Sequence, residues 1–292
     1  MTINGFIPIH KPVGLSSQQT VSKVKKILGS KKAGHTGTLD PAAEGLLLVA
    51  VGKATRLTEY FLNRDKGYRA EVHFGASTDT GDREGNIVEQ KQNFSISRDR
   101  VLAALASFTG KIKQVPPAAS ALKIDGQPAY KLFRQGKAPE IPARDVTIYS
   151  LQPLGQVSTI TPDRPLLHLD IHCSKGTYIR SLAADIGASL DCPAHLSSLL
   201  RTSIGQIDLS QAASLDDLEQ GYQTWLLDMA IAVDHMPVVE LDLRQAAAFC
   251  HGRRVESQGI DGETAVFQGN KLLGIAQVHS GIIKPVKVIQ ES

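Results

Sequence analysis

An unbroken apolar run, Leu46-Leu47-Leu48-Val49-Ala50-Val51, predicts a strand buried on both faces. Two later stretches alternate instead. Tyr68-Arg69-Ala70-Glu71-Val72-His73-Phe74 and Leu167-His168-Leu169-Asp170-Ile171-His172-Cys173 put apolar side chains at every second position, as half-buried strands do. Upstream, Phe6 to Ile9 reads as a short strand, Lys11-Pro12-Val13-Gly14 as a tight turn and Ser16-Ser17 as caps for a helix. In that helix Val21, Val24 and Leu28 recur at helical spacing, Lys23, Lys25 and Lys26 take the other faces, and Gly29 ends it. A second capped helix runs from about Ser97 to Phe108, with Val101, Leu102, Leu105 and Phe108 on one face. The acidic stretch from Asp208 to Asp234 reads as helices closing a large domain. The texture then changes: Val238–Leu243, a helix Arg244–His251, Thr264–Phe267, a hairpin turn at Gly269-Asn270, Leu272–Ala276 and Gly281–Val288 predict a compact β-rich module. The pattern therefore divides the chain into 1–234 and 237–289.

The composition of the 292 residues, 42% hydrophobic and 21% charged, is that of an ordinary globular protein with room for a large and a small domain. Net charge is only +3, but residues 1 to 70 hold eleven Lys or Arg against four acids, so the amino-terminal part carries +7 and the remainder −4. Such a segment fits phosphate binding, and equally a solvated helix face. Cys173, Cys192 and Cys250 are odd in number and widely spaced, which suggests neither a disulfide framework nor a zinc knuckle. No apolar run approaches the ~20 residues of a membrane span, and the amino terminus lacks a signal-peptide pattern. A cytoplasmic protein is expected.

The chemistry concentrates in Gly34-His35-Thr36-Gly37-Thr38-Leu39-Asp40-Pro41-Ala42-Ala43-Glu44-Gly45, a polar, glycine-punctuated loop leading into the apolar run. Proline after Asp40 biases that residue to an extended conformation and holds its carboxylate on a stiff turn. The bland alternative makes Asp40 an N-cap, with Pro41 at the first helical position and Glu44 in the first turn. Other motif readings fail on spacing. Gly52-Lys53 is followed by Ala54, where a phosphate loop needs Ser or Thr, and Gly45 is misplaced for its first glycine. Asp79 to Asn86 lacks the alternating acids of a calcium loop and reads as a structured polar loop.

The long string Gly-His-Thr-Gly-Thr-Leu-Asp-Pro-Ala-Ala-Glu-Gly-Leu-Leu resembles the catalytic motif of the TruB family of tRNA pseudouridine synthases. Further segments resemble the same family: Lys11-Pro12-Val13-Gly14-Leu15-Ser16-Ser17, the stretch from Gln114 through Lys123 to Gly136, Cys173-Ser174-Lys175-Gly176-Thr177-Tyr178-Ile179-Arg180-Ser181-Leu182, and Ala194 to Thr202. The resemblance implies that Asp40 is the nucleophile, that Arg180 pairs with it, and that Tyr68 packs against the target base. It implies that Tyr178 lies beside the substrate, that Leu199 abuts the base and that His35 helps extrude the uridine. Lys11 would support the loop or a phosphate. One position departs: Leu200 stands where the family commonly has Arg. The C-terminal module resembles, more loosely, a PUA-type RNA-binding domain.

The resemblance further implies an α/β (α+β) catalytic domain on a mixed, mostly antiparallel sheet, acting on the T-loop uridine at tRNA position 55. That reaction isomerises a nucleotide without net redox change or added group, so no cofactor or metal is expected. The expected partner is the tRNA T stem-loop, with no membrane and no required protein partner, for a monomeric enzyme. Two other readings stand beside it. The chain could be an RNA chaperone of this fold whose Asp40 only caps, or a guided ribosomal-RNA modifying subunit, against which the lack of a Lys-rich tail argues.

Overall fold

The computed structural model describes residues 3–120, 122–124, 126–137, 140–256 and 260–289. Of the segment that resembles the family pattern around Lys123, Ala121 and Asp125 lie outside the described residues. Seven long strands form the main sheet: β1 Gly5–Lys11, β2 Glu44–Val51, β3 Lys66–Phe74, β4 Gly110–Gln114, β5 Arg144–Pro153, β6 Leu166–Cys173 and β7 Ala194–Ile204. Their order is β1-β2-β7-β3-β6-β5-β4, with the short strands Ala33–His35 and Ile207–Asp208 paired to β2 and β7. Every pairing is antiparallel except β2 with β7, where Leu200 faces Glu44 and Arg201 faces Gly45. The sheet is thus mixed and mostly antiparallel, as expected.

The apolar run of β2 is buried on both faces because each face meets a different core. Leu46, Leu48 and Ala50 pack with Phe6 and with Met229, Ala232 and Val233, while Leu47, Val49 and Val51 pack with Ile7, Ile9 and, from helix α1 (Ser17–Ile27), Val21 and Val24. In β3 the alternation puts Tyr68, Ala70, Val72 and Phe74 into a third core. There they meet Val101, Ala104 and Leu105 of helix α2 (Arg98–Ser107) and Leu182, Ala183 and Ile186 of helix α3 (Ile179–Ser189). Helix α1 starts at a capping box in which the Ser16 side chain accepts from the Gln19 N–H and Gln19 returns a bond to Ser16.

The capping alternative for Asp40 fails, and one expectation is corrected. Asp40 caps no helix: Pro41 and Ala42 form a turn, the Ala43 N–H donates to the Asp40 carbonyl at 3.1 Å, and the chain goes directly into β2. The acidic stretch 208–234 holds one six-residue helix, Leu215–Gln220, and three short 3-10 turns in place of helices. Its carboxylates serve as local caps, Asp208 on Ser210 and Asp228 on Ala230, and Asp217 completes a capping box with Ser214.

The C-terminal module is β-rich as expected. Strands β8 Val238–Glu240, β9 Val255–Glu256, β10 Gly262–Gln268, β11 Lys271–His279 and β12 Ile282–Val288 lie in the order β8-β10-β11-β12-β9, with helix α4 (Leu243–Cys250) packed on them through Ala246 and Phe249. Ala265, Leu272 and Ile275 share a core with Phe6 and Leu57, so the module is seated on the first unit through buried apolar contact. Among the described residues no helix is long and apolar enough to cross a membrane.

Candidate active site

The Asp40 loop hangs between the short strand Ala33–His35 and β2 and is tied from several sides. The Ser17 hydroxyl donates to the Leu39 carbonyl at 2.9 Å and accepts from the Leu39 N–H at 2.8 Å, fixing the residue before Asp40 to the start of α1. The Gly14 N–H donates to the Pro41 carbonyl at 2.8 Å, and the Thr36 N–H to the Leu48 carbonyl at 3.1 Å. Gly45, at φ +106°, is where β2 approaches β7: a Cβ there would come within 2.4 Å of the Arg201 carbonyl oxygen, so only glycine fits.

Held this way, the Asp40 side chain remains 44% exposed and meets Arg180 with Oδ2–Nη2 at 3.1 Å. Arg180 comes from the first turn of α3 and is buried, its side chain 7% exposed. Its fork is fully engaged: Nη1 donates to the Thr80 carbonyl and Nη2 to the Ala119 carbonyl, each at 2.9 Å, and Nη1 lies 3.5 Å from Asp82 Oδ2. A planar guanidinium suits four such partners and an ammonium does not. Asp40, Arg180 and Leu199 line one cleft with Ala42, Asp82 and Ser198.

Tyr68, which does not line this cleft, is 8% exposed, with Arg201 as its cross-strand partner on β7. Burial raises its phenol above the ordinary tyrosine range, and the neighbouring Arg201 charge opposes that rise. His35 stands at the start of the loop, half-buried, with Nδ1 unpartnered; burial and then the Arg201 charge hold its pKa below the usual histidine value. Tyr178 immediately precedes α3, its N–H donating to Gln114 Oε1 at 2.8 Å and its ring facing the Arg144 guanidinium at 5.6 Å. It does not line the Asp40 cleft.

Lys11 is fully buried, and its Nζ donates to the carbonyls of Pro12 at 2.8 Å and Leu15 at 2.7 Å. There it braces the turn whose Gly14 holds Pro41. Burial pushes its ammonium down from the ordinary 10.5 to about 8, with the Asp40 charge opposing. An unfolded lysine keeps its proton up to the ordinary value. Between those two values the unfolded chain therefore binds more protons, and Lys11 makes stability rise with pH. Thermal midpoints of the wild type and Lys11→Met, compared from about pH 7.5 to about pH 10, should shift in favour of the wild type as pH rises. A difference that stays flat or shrinks contradicts this.

Two residues of the site were not found by sequence reasoning. Asp82 is buried at 8% exposure, accepts from the Thr80 hydroxyl at 2.6 Å and the Glu84 N–H at 3.1 Å, and flanks Arg180. It sits in the loop read as merely structured, and its only signal is an acid beside a glycine there. Arg201, 1% exposed, reaches the underside of the Asp40 loop; the sequence placed it in a motif without giving it a task. Among the described residues no group of three or more His, Cys, Asp or Glu side chains is arranged to hold a metal ion.

Comparison with known proteins gives a consistent result. Residues 25–179 match the family model described as TruB family pseudouridylate synthase (N terminal domain), residues 180–236 the tRNA pseudouridylate synthase B C-terminal domain, and residues 237–289 Pseudouridine synthase II TruB, C-terminal. A tRNA pseudouridine synthase B of Burkholderia lata is 40% identical over 98% of this chain and 90% of its own length. One from Thermobifida fusca is 39% identical over 99% of each. Among solved structures, a chain of a Cbf5-Nop10-Gar1 complex superposes with a TM-score of 0.74 at 26% identity, covering 98% of this chain and 85% of that one.

Proposed function

The chain belongs to the TruB family of pseudouridine synthases, isomerases that convert uridine in tRNA to pseudouridine, and on that premise we propose that Asp40 is its nucleophile and the T-loop uridine at position 55 its target. The observation that carries this reading is the pairing of a half-exposed Asp40 with a buried, fully engaged Arg180 at the mouth of a cleft. Such a pair holds a carboxylate as an oriented anion without taking it out of reach.

Uridine reaches the carboxylate only when extruded from its loop, and the half-buried ring of His35 at the loop's edge supports that step. Asp40 then attacks either C6 of the base or C1′ of the sugar. The N1–C1′ bond breaks, the uracil turns, C5 joins C1′, the bond to Asp40 is released, and the proton on C5 leaves while N1 takes one up. Leu199 in the cleft wall and the ring of Tyr68 are assigned the apolar contact that keeps the detached uracil in place. The Tyr68 oxygen, in its deprotonated form, is the candidate acceptor for the C5 proton. Tyr178 contributes beside the cleft, towards the substrate's flank. Residues 1–234 form the catalytic unit and 237–289 an RNA-binding module of PUA type, and the enzyme acts as a cytoplasmic monomer without a cofactor or protein partner.

Recognition should rest on RNA shape and phosphates, which the basic amino-terminal part supports. A T-arm stem-loop is expected to be turned over, with affinity falling steeply as salt rises, and free uridine to be inert. Release of the C5 hydrogen from labelled substrates measures both. Free uridine turned over as fast as the stem-loop would overturn the reading.

A further inference from the structure

Arg201 has burial, charge and contacts that none of the proposed steps uses. Its guanidinium is 1% exposed, and among the described residues no carboxylate pairs with it. All three nitrogens instead donate to backbone carbonyls of the Asp40 loop: Nε to Leu46 at 2.7 Å, Nη1 to Thr38 at 3.3 Å and Nη2 to Gly37 at 3.2 Å. Gly37 and Thr38 precede Asp40 and Leu46 follows it, so one rigid fork grips both arms of the loop that carries the carboxylate. Its register is fixed by the parallel pairing of β7 with β2, which sets Arg201 against Gly45, and on its other side by the antiparallel pairing that sets it against Tyr68.

Neutral donors would satisfy three carbonyls. A buried cation without a counter-ion is costly to desolvate, so the positive charge is a liability to the fold unless something beside it becomes negative. A group of that kind stands beside it, the Tyr68 phenol across the β7–β3 pair, which turns negative on giving up its proton, and the loop it grips carries the Asp40 carboxylate. We propose that Arg201 is a positioning residue for the isomerisation, clamping both arms of the Asp40 loop and turning its charge to the Tyr68 hydroxyl, so that one side chain sets carboxylate and phenol relative to each other. The assignment rests on Asp40 and Tyr68 acting as proposed above. Electrostatics agree with the geometry, since the Arg201 charge pulls the Tyr68 phenol down against the effect of burial.

The test uses the full-length protein as Arg201→Lys and Arg201→Gln, in wild-type and Tyr68→Phe backgrounds, with thermal midpoint, T-arm affinity and the single-turnover rate of C5 hydrogen release at saturating enzyme as readouts. Lysine keeps the charge but cannot reach three carbonyls in two directions. The expected result is a folded Arg201→Lys enzyme that binds the T-arm within about threefold of wild type while its saturated rate falls about 100-fold or more, with Arg201→Gln slower still. In the Tyr68→Phe background the further loss on adding Arg201→Lys should shrink to less than about a third on a logarithmic scale, because the two side chains act together. A rate within about threefold of wild type, losses of rate and affinity that merely track the thermal midpoint, or failure of both variants to fold would each overturn the assignment. The parent reading is checked in the same assay: wild type inactive, or Asp40→Asn active, removes Asp40 and Arg201 together. An Arg201 variant of wild-type rate beside an inert Asp40→Asn removes the clamp alone.

Discussion

Asp40→Asn is expected to lose C5 hydrogen release by at least ~10³-fold while remaining folded and bound to the T-arm. A nucleophile must be an anion, and the carboxamide is neutral at every pH at which the protein is folded. The substitution keeps the volume of the side chain and one oxygen for the Arg180 guanidinium, and the turn at Pro41 uses the backbone carbonyl of residue 40, which is unchanged. Because the Asp40 side chain is 44% exposed, its pairing with Arg180 is partly screened, and the stability lost should be no more than about 1 kcal/mol. RNA affinity should persist, since shape and phosphate contacts are expected mostly outside the cleft. Single-turnover hydrogen release by the variant at a tenth of the wild-type rate or better would remove Asp40 as nucleophile.

The same residue marks what a sequence shows and what it conceals. Asp-Pro begins both helices and turns, and Asp40 goes to a turn because six consecutive apolar residues after Gly45 find cores on both sides of a strand. That double burial was legible as a run without period, as were the alternating strands β3 and β6, the caps Ser16 and Ser97, and the hairpin turn at Gly269. The acidic stretch 208–234 misled because its carboxylates cap short turns instead of lining helix faces, and its one helix, Leu215–Gln220, stops at Gly221. Asp82 and Arg201 were hidden for a different reason. Asp82 flanks Arg180, 98 positions further on, and Arg201 meets Leu46, Thr38 and Gly37, 155 to 164 positions back, and no local spacing encodes those contacts. A buried charge is recognisable only once the register of the sheet is known.

Arg180 is the position at which loss should reach furthest, because its fork serves two carboxylates and two carbonyls at once. Arg180→Met leaves Asp82 buried at 8% exposure without its cation, and frees the carbonyls of Thr80 and Ala119. Removing one partner of a buried ion pair costs about 3–5 kcal/mol, so this variant should melt well below wild type as well as lose activity. Arg180→Lys separates the two effects. An ammonium restores charge near Asp82 and much of the stability, but it cannot hold the Asp40 carboxylate in the plane that the guanidinium defines, and the saturated rate should still fall by about 100-fold. Asp82→Asn completes the comparison: the amide keeps an oxygen for the Thr80 hydroxyl and the Glu84 N–H, stability changes little, and the rate drops by about tenfold as Arg180 loses one of the anions that aim it. Thermal midpoints and single-turnover rates of the three variants decide the matter. If Arg180→Lys isomerised bound RNA within about threefold of the wild-type rate, the guanidinium would be a brace for the Asp82 loop and not the group that orients the nucleophile.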